Sequence, residues 1–188
     1  MIPRNLHWAF REGYRVRTPA GAGRMQRLRL ADLVLPTGKI VAGCLDNTAH
    51  QCPEFQPGVA PGGYPVYINI VKKKSGFGAF AFVSVIFADA KTVEWNQAGS
   101  FFTDSGDGCI YDESVASLLR ETRQKFTQAE WAELKSGAYT GKCGNLILEP
   151  ETGANAIVFR TCDWDYPCYF GQAEDGRLTC FVIDGRLP

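Results

Sequence analysis

Two acidic segments hold the residues whose types and spacing could do chemistry. The first reads Phe102-Thr-Asp104-Ser-Gly106-Asp107-Gly108-Cys109-Ile-Tyr111-Asp112. The second reads Cys162-Asp163-Trp164-Asp165-Tyr166-Pro167-Cys168-Tyr169-Phe170-Gly171. Asp104 and Asp107 are hard oxygen donors of the kind a divalent cation takes. The run nevertheless lacks the full series of ligands, ending in Glu, that builds a calcium loop. Paired carboxylates also serve as general acid and base when they converge in a cleft that separates their pKa values. Against both stands ordinary turn chemistry, in which short acids accept bonds from nearby backbone N–H groups. Turn chemistry weighs most and binding comes next. Asp104, Asp107, Asp112, Asp163, Trp164, Asp165 and Tyr166 are therefore candidate binding residues, and no residue is assigned a catalytic role.

A nucleophile is harder to assemble. Cys109 follows a glycine-rich turn and precedes a candidate helix, a position that can favour the thiolate. Its base would have to be His7 or His50, both in segments that read as extension or loop, and no third group completes the set. The seven cysteines are an odd number spread over most of the chain and include no Cys-x-x-Cys pair. They read as reduced, buried, small apolar side chains rather than as zinc ligands or a disulfide framework. No metal and no cofactor is expected. The opening Met-Ile-Pro-Arg-Asn-Leu-His-Trp has no apolar run and no small-residue cleavage site, so a cytoplasmic location is expected.

The elements that must position these residues follow from composition and pattern. A chain of 188 residues, 45% hydrophobic and 21% charged, is long enough to bury a core without staples. No apolar run approaches the roughly 18 residues of a membrane helix. Lys plus Arg and Asp plus Glu number 20 each, but residues 1–44 carry a net +6 and the remainder −6. Residues 1–24 read as a basic extension that lies against, or hangs from, a single β-rich domain over 25–188, and their removal is expected to leave that domain folded. The zero net charge and the lack of aromatics interleaved with the arginines after Tyr14 argue against nucleic-acid binding.

Alternation and turn residues predict a hairpin over 28–42 around Pro36-Thr-Gly38, and strands over 64–71 and 77–87 joined by a lysine-rich turn. Four more strands are predicted over 145–148, 155–160, 166–170 and 178–183. Asp112 is placed to cap a helix running to about residue 125, and Thr127-Gln-Ala-Glu130 is a capping box for a second. The fold class is α+β, mainly antiparallel β, sandwich-like or a curved sheet, with about two short helices mid-chain. Trp95, Trp164 and Tyr169 are aromatics that could anchor a protein interface.

A resemblance joins these pieces. Leu35-Pro-Thr-Gly38-Lys-Ile-Val-Ala42, Gly62-Gly-Tyr64-Pro65-Val66, Asp104-Ser-Gly106-Asp-Gly108-Cys109-Ile-Tyr-Asp112 and Asp163-Trp-Asp-Tyr166-Pro167, then Gly171 and Asp184, follow in one order. That succession, over roughly 28–185, resembles the bacterial domain-of-unknown-function family numbered 4241. The family's late motif reads Gly-Asp-Gly-x-Tyr-Pro. Here Cys162 and Trp164 stand in place of its glycines, and they are expected to fill space at the backbone of that turn. The resemblance implies a cytosolic β-rich domain and no reaction. With no coherent catalytic set and opposed charge patches, the expected function is a non-enzymatic protein-binding module. Its most concrete form is an immunity protein that neutralises a cognate bacterial toxin by covering its active site. The alternative is a small enzyme, or a ligand- or metal-binding domain, with an acidic site around Asp104, Cys109, Asp112 and Asp163.

Overall fold

The computed structural model describes the chain apart from residues 1–5, 7–9, 19–20, 47–53, 74–77, 139–142, 163 and 187–188. Twelve strands are present among the described residues. They are β1 (Arg15–Thr18), β2 (Gly21–Leu35), β3 (Ile40–Cys44), β4 (Glu54–Phe55), β5 (Gly62–Lys73), β6 (Gly78–Ile86), β7 (Glu94–Thr103), β8 (Asp107–Asp112), β9 (Cys143–Glu149), β10 (Ala154–Arg160), β11 (Trp164–Gln172) and β12 (Leu178–Asp184). Helices α1 (Ala116–Lys125) and α2 (Gln128–Ala138) fall between β8 and β9, with a 3-10 turn at Glu113–Val115 leading into α1. The fold is mainly antiparallel β with two mid-chain helices, as composition and pattern predict.

Seven strands form one sheet in the order β1-β2-β5-β6-β12-β11-β7, and five form another in the order β4-β3-β8-β10-β9. The pairs β1–β2, β5–β6, β6–β12 and β11–β12 run antiparallel in the first sheet. In the second, β3–β4, β3–β8, β8–β10 and β9–β10 do so. The predicted hairpin over 28–42 does not form, since β2 and β3 lie in different sheets. Both edges of β3 are taken by β4 and β8, and the Pro36-Thr-Gly38 turn is drawn to Asp112 instead. Thr37 donates to Asp112 from its backbone N (3.1 Å) and from its hydroxyl (2.8 Å). Gly38 sits at φ +74°, and a Cβ there would meet the Val59 carbonyl oxygen at 1.8 Å, so only glycine fits.

Contacts divide the chain into two compact units, each with its own buried cluster, where the sequence predicts a single core. One unit comprises Met1–Arg29, Pro65–Gly99 and Tyr166–Pro188. Its cluster includes Leu6, Val16, Met25, Phe82, Trp95, Tyr169 and Val182. Residues read as a basic extension therefore contribute β1 and two fully or nearly buried side chains, Leu6 and Val16. The other unit comprises Leu30–Tyr64 and Ser100–Asp165. Here Val115, Leu119 and Trp131 of the helical segment pack with Cys109, Tyr111, Ala156 and Val158 of β8 and β10. Asn155 is buried within β10 and fully used. Its amide donates to the Asp32 carbonyl and to Asn145 Oδ1, while its own Oδ1 accepts from Val34 N.

Candidate functional site

The candidate residues separate by burial. Asp112 ends β8 and is completely buried. One carboxylate oxygen accepts from Thr37 Oγ1 and from Ser114 N, capping the 3-10 turn, and the other accepts from Thr37 N. Its acceptor capacity serves the fold, which is turn chemistry with a long-range partner. Asp107 is also buried, and its carbonyl accepts from Leu45 N at 3.0 Å. Cys109 lies mid-strand in β8, fully buried, with its thiol directed to the Gly43 carbonyl at 3.5 Å. That placement replaces the expected turn-to-helix position for Cys109, because β8 extends through the whole Asp107–Asp112 stretch. Gly108 belongs to this strand too, where a Cβ would meet the Phe159 ring of β10 at 2.8 Å. Tyr166 is 3% exposed and belongs to the core. Asp163 lies outside the described residues, as do His7 and His50. Among the described residues no three His, Cys, Asp or Glu side chains are placed to hold a metal ion, and no helix is long and apolar enough to cross a membrane.

Asp104, Trp164 and Asp165 remain at the surface, and the structure brings their segments together. Along the end of β7, burial alternates: Phe101 and Thr103 point inward, Phe102 and Asp104 outward. Thr103 is the tie between segments. Its hydroxyl donates to the Cys162 carbonyl at 2.6 Å and shares a 3.0 Å hydrogen bond with the Thr161 hydroxyl. Beyond that junction Trp164, two residues past Cys162, is 55% exposed, and Phe102, next to Thr103 in the chain, is 59% exposed. Exposed Asp104 is fixed from below by Cys44, whose thiol donates to its Oδ1 at 3.1 Å and also meets Ser105 Oγ at 3.0 Å. Phe102, Asp104, Trp164 and Asp165 are thus all exposed, on two segments of one unit that Thr103 joins.

The family model described as "Protein of unknown function (DUF4241)" matches residues 33–183. The chain belongs to this family. No curated protein and no solved structure matches it. In this DUF4241 chain Cys162 and Trp164, the residues standing in place of the late-motif glycines, are both exposed. The sequence predicts that they fill space at the turn; in the structure both side chains are instead exposed, while the Cys162 carbonyl is held by Thr103. Of the residues named from sequence, Asp104, Trp164 and Asp165 are exposed, and exposed Phe102 was not named. Its signal was the Phe-Phe-Thr-Asp alternation, legible only once 94–103 is read as a strand. Of the proposed aromatic anchors, Trp95 and Tyr169 are 4% exposed and belong to the core. Trp164 alone of the three is at the surface.

Proposed function

We propose that this DUF4241 protein is a non-enzymatic protein-binding module, and that it acts as an immunity protein which neutralises a cognate toxin by covering its active site. The observation that supports this reading is the exposure of Phe102 and Trp164, and of Asp104 and Asp165, on two segments that Thr103 ties together. Large exposed aromatics are costly to leave in water and are the residues that dominate binding energy in protein interfaces. Flanking carboxylates fit them to a basic cleft of the sort that binds nucleic acid or nucleotide, where opposite charge speeds encounter and fixes orientation. Rigid support adds to this, since Thr103 and Cys44 hold the two segments before any partner arrives.

Co-expression with the product of the adjacent gene tests the proposal. The full-length chain should co-purify with that product and relieve its toxicity to the host cell. A neighbour that is harmless when expressed alone, and that does not co-purify, would remove the immunity reading.

A further inference from the structure

The seven-stranded sheet ends on β1, which among the described residues pairs with β2 alone. A glycine bulge sets the phase of that ladder. Gly13, at φ +74°, donates from N to the Met25 carbonyl, and Met25 N donates to the Tyr14 carbonyl, both at 2.8 Å. Bonded and non-bonded residue pairs alternate along an antiparallel ladder. Arg15 and Arg24 are therefore a non-bonded pair, Val16 and Gly23 a bonded one, and Arg17 and Ala22 non-bonded again. The backbone N–H and C=O of Arg15 and of Arg17 thus point away from β2, to the open edge of the sheet.

The side chains alternate in step with the backbone. Val16 is 6% exposed and belongs to the buried cluster, whereas Arg15, Arg17 and Arg24 are exposed. Arg15 and Arg24 stand directly across from each other, where like charges destabilise a sheet. No ion pair among the described residues involves any of the three. Glu12 is the one carboxylate before Asp32 in the chain, and its field falls on Arg27. An unpaired backbone row and an unneutralised basic row therefore coincide on one short strand.

We propose that the open edge of β1 receives an extended acidic segment of a protein partner, added as an antiparallel strand with carboxylates at alternate positions opposite Arg15 and Arg17. Alternate residues of such a strand are about 7 Å apart, as Arg15 and Arg17 are, so the charges meet when the backbones pair. Arg24 adds to the positive field from the next strand. The same arginines reject other occupants. A second copy offering its own β1 would set arginine against arginine. A nucleic acid's phosphates could accept from the open N–H groups but have nothing to donate to the open carbonyls. The outward positions Arg15, Arg17, Ala22 and Arg24 also hold no aromatic on which a base could stack. These residues all belong to the first unit, and the docking reading rests on the second, so either can fail without the other.

Fluorescence anisotropy with the full-length chain tests this, the probe being a short labelled peptide of glutamates alternating with valines and threonines. It should bind with a dissociation constant of about 100 µM or tighter at low salt, and more weakly as salt is raised. Arg15→Glu combined with Arg17→Glu should weaken binding at least about tenfold, and Arg15→Lys combined with Arg17→Lys by no more than about threefold. Methylating the glutamate backbone nitrogens should abolish binding, because those N–H groups face the Arg15 and Arg17 carbonyls. That control needs no variant of the chain and separates strand addition from charge attraction. No binding of the alternating peptide overturns the proposal, as does equal binding of the methylated one. Equal binding of a peptide with the same composition but contiguous glutamates overturns it too. Tighter binding of duplex DNA, or of phosphatidylserine vesicles, overturns the assigned partner class.

Discussion

Asp184 is 2% exposed, and burial pushes its carboxyl above the ordinary carboxylate value, offset only in part by the Arg186 N–H and the Arg186 charge. The native state thus holds the proton more tightly than the unfolded chain does. Stability attached to this group is full below the unfolded pKa, about 3.9, and is lost as pH rises through the folded value. Asp184→Asn keeps an oxygen to accept from the Arg186 N–H, which donates to Asp184 Oδ1 at 2.8 Å in the parent. The variant should therefore melt above the parent at neutral pH, and the gap should close in acid. A gap that is constant with pH, or of opposite sign, would contradict this assignment. Cysteines give a second residue-scale prediction. Cys44, Cys109, Cys168 and Cys180 are buried, with the Cys180 thiol pushed up by burial, whereas Cys162 is exposed. Brief alkylation of the native protein followed by peptide mapping should label Cys162 and spare those four. Labelling of Cys180 as fast as Cys162 would show that its strand opens readily. Burial of these thiols was legible from composition, but the exposure of Cys162 was not. The Cys162 carbonyl is held by Thr103, 59 positions away in sequence, a contact that no local pattern signals.

At the scale of elements, local signals were read well and long-range ones poorly. The capping box at α2 forms as spelled: Thr127 N and Oγ1 donate to Glu130 Oε2, and Glu130 N donates to Thr127 Oγ1 at 3.3 Å. Those bonds hold the Glu130 carboxyl below its ordinary value. Strands β9 to β12 and the β5–β6 hairpin likewise follow from alternation and turn residues. By contrast, β7 and β8 were invisible, since Asp107, Gly108 and Asp112 resemble a loop and their pairing partners lie far along the chain. Strand β1 was hidden in the same way by its arginines. Its inward Val16, together with Leu6, packs against Met25, and Phe10 stacks on Trp95 at 6.1 Å. Deleting residues 1–24 should therefore cost several kcal/mol, about 1.5–3 for each fully buried side chain lost. A cooperative melt within a few degrees of the parent would instead show the segment to be the dispensable extension that its charge suggests.

At the scale of the whole molecule, two separate buried clusters are present among the described residues, one in each unit. The first unit buries the polar side chains Asn69 and Ser84, and the second exposes Phe102, Asp104, Trp164 and Asp165. Neither was fully legible in the sequence. Asn69 and Ser84 look like ordinary half-wet strand residues until register places them on one buried face. Phe102 and Trp164 look like core in the sequence, yet both are exposed. The most direct measurement is the affinity of the co-purified partner for the full-length chain, compared with Trp164→Ala and with Asp104→Lys, whose own melts report whether each still folds. Anchors of this type contribute 2 kcal/mol or more, so Trp164→Ala should weaken binding by about 30-fold. Asp104→Lys should slow association and lessen its dependence on salt. Folded variants that bind within about threefold of the parent, at unchanged rates, would contradict the account and place the partner on another surface.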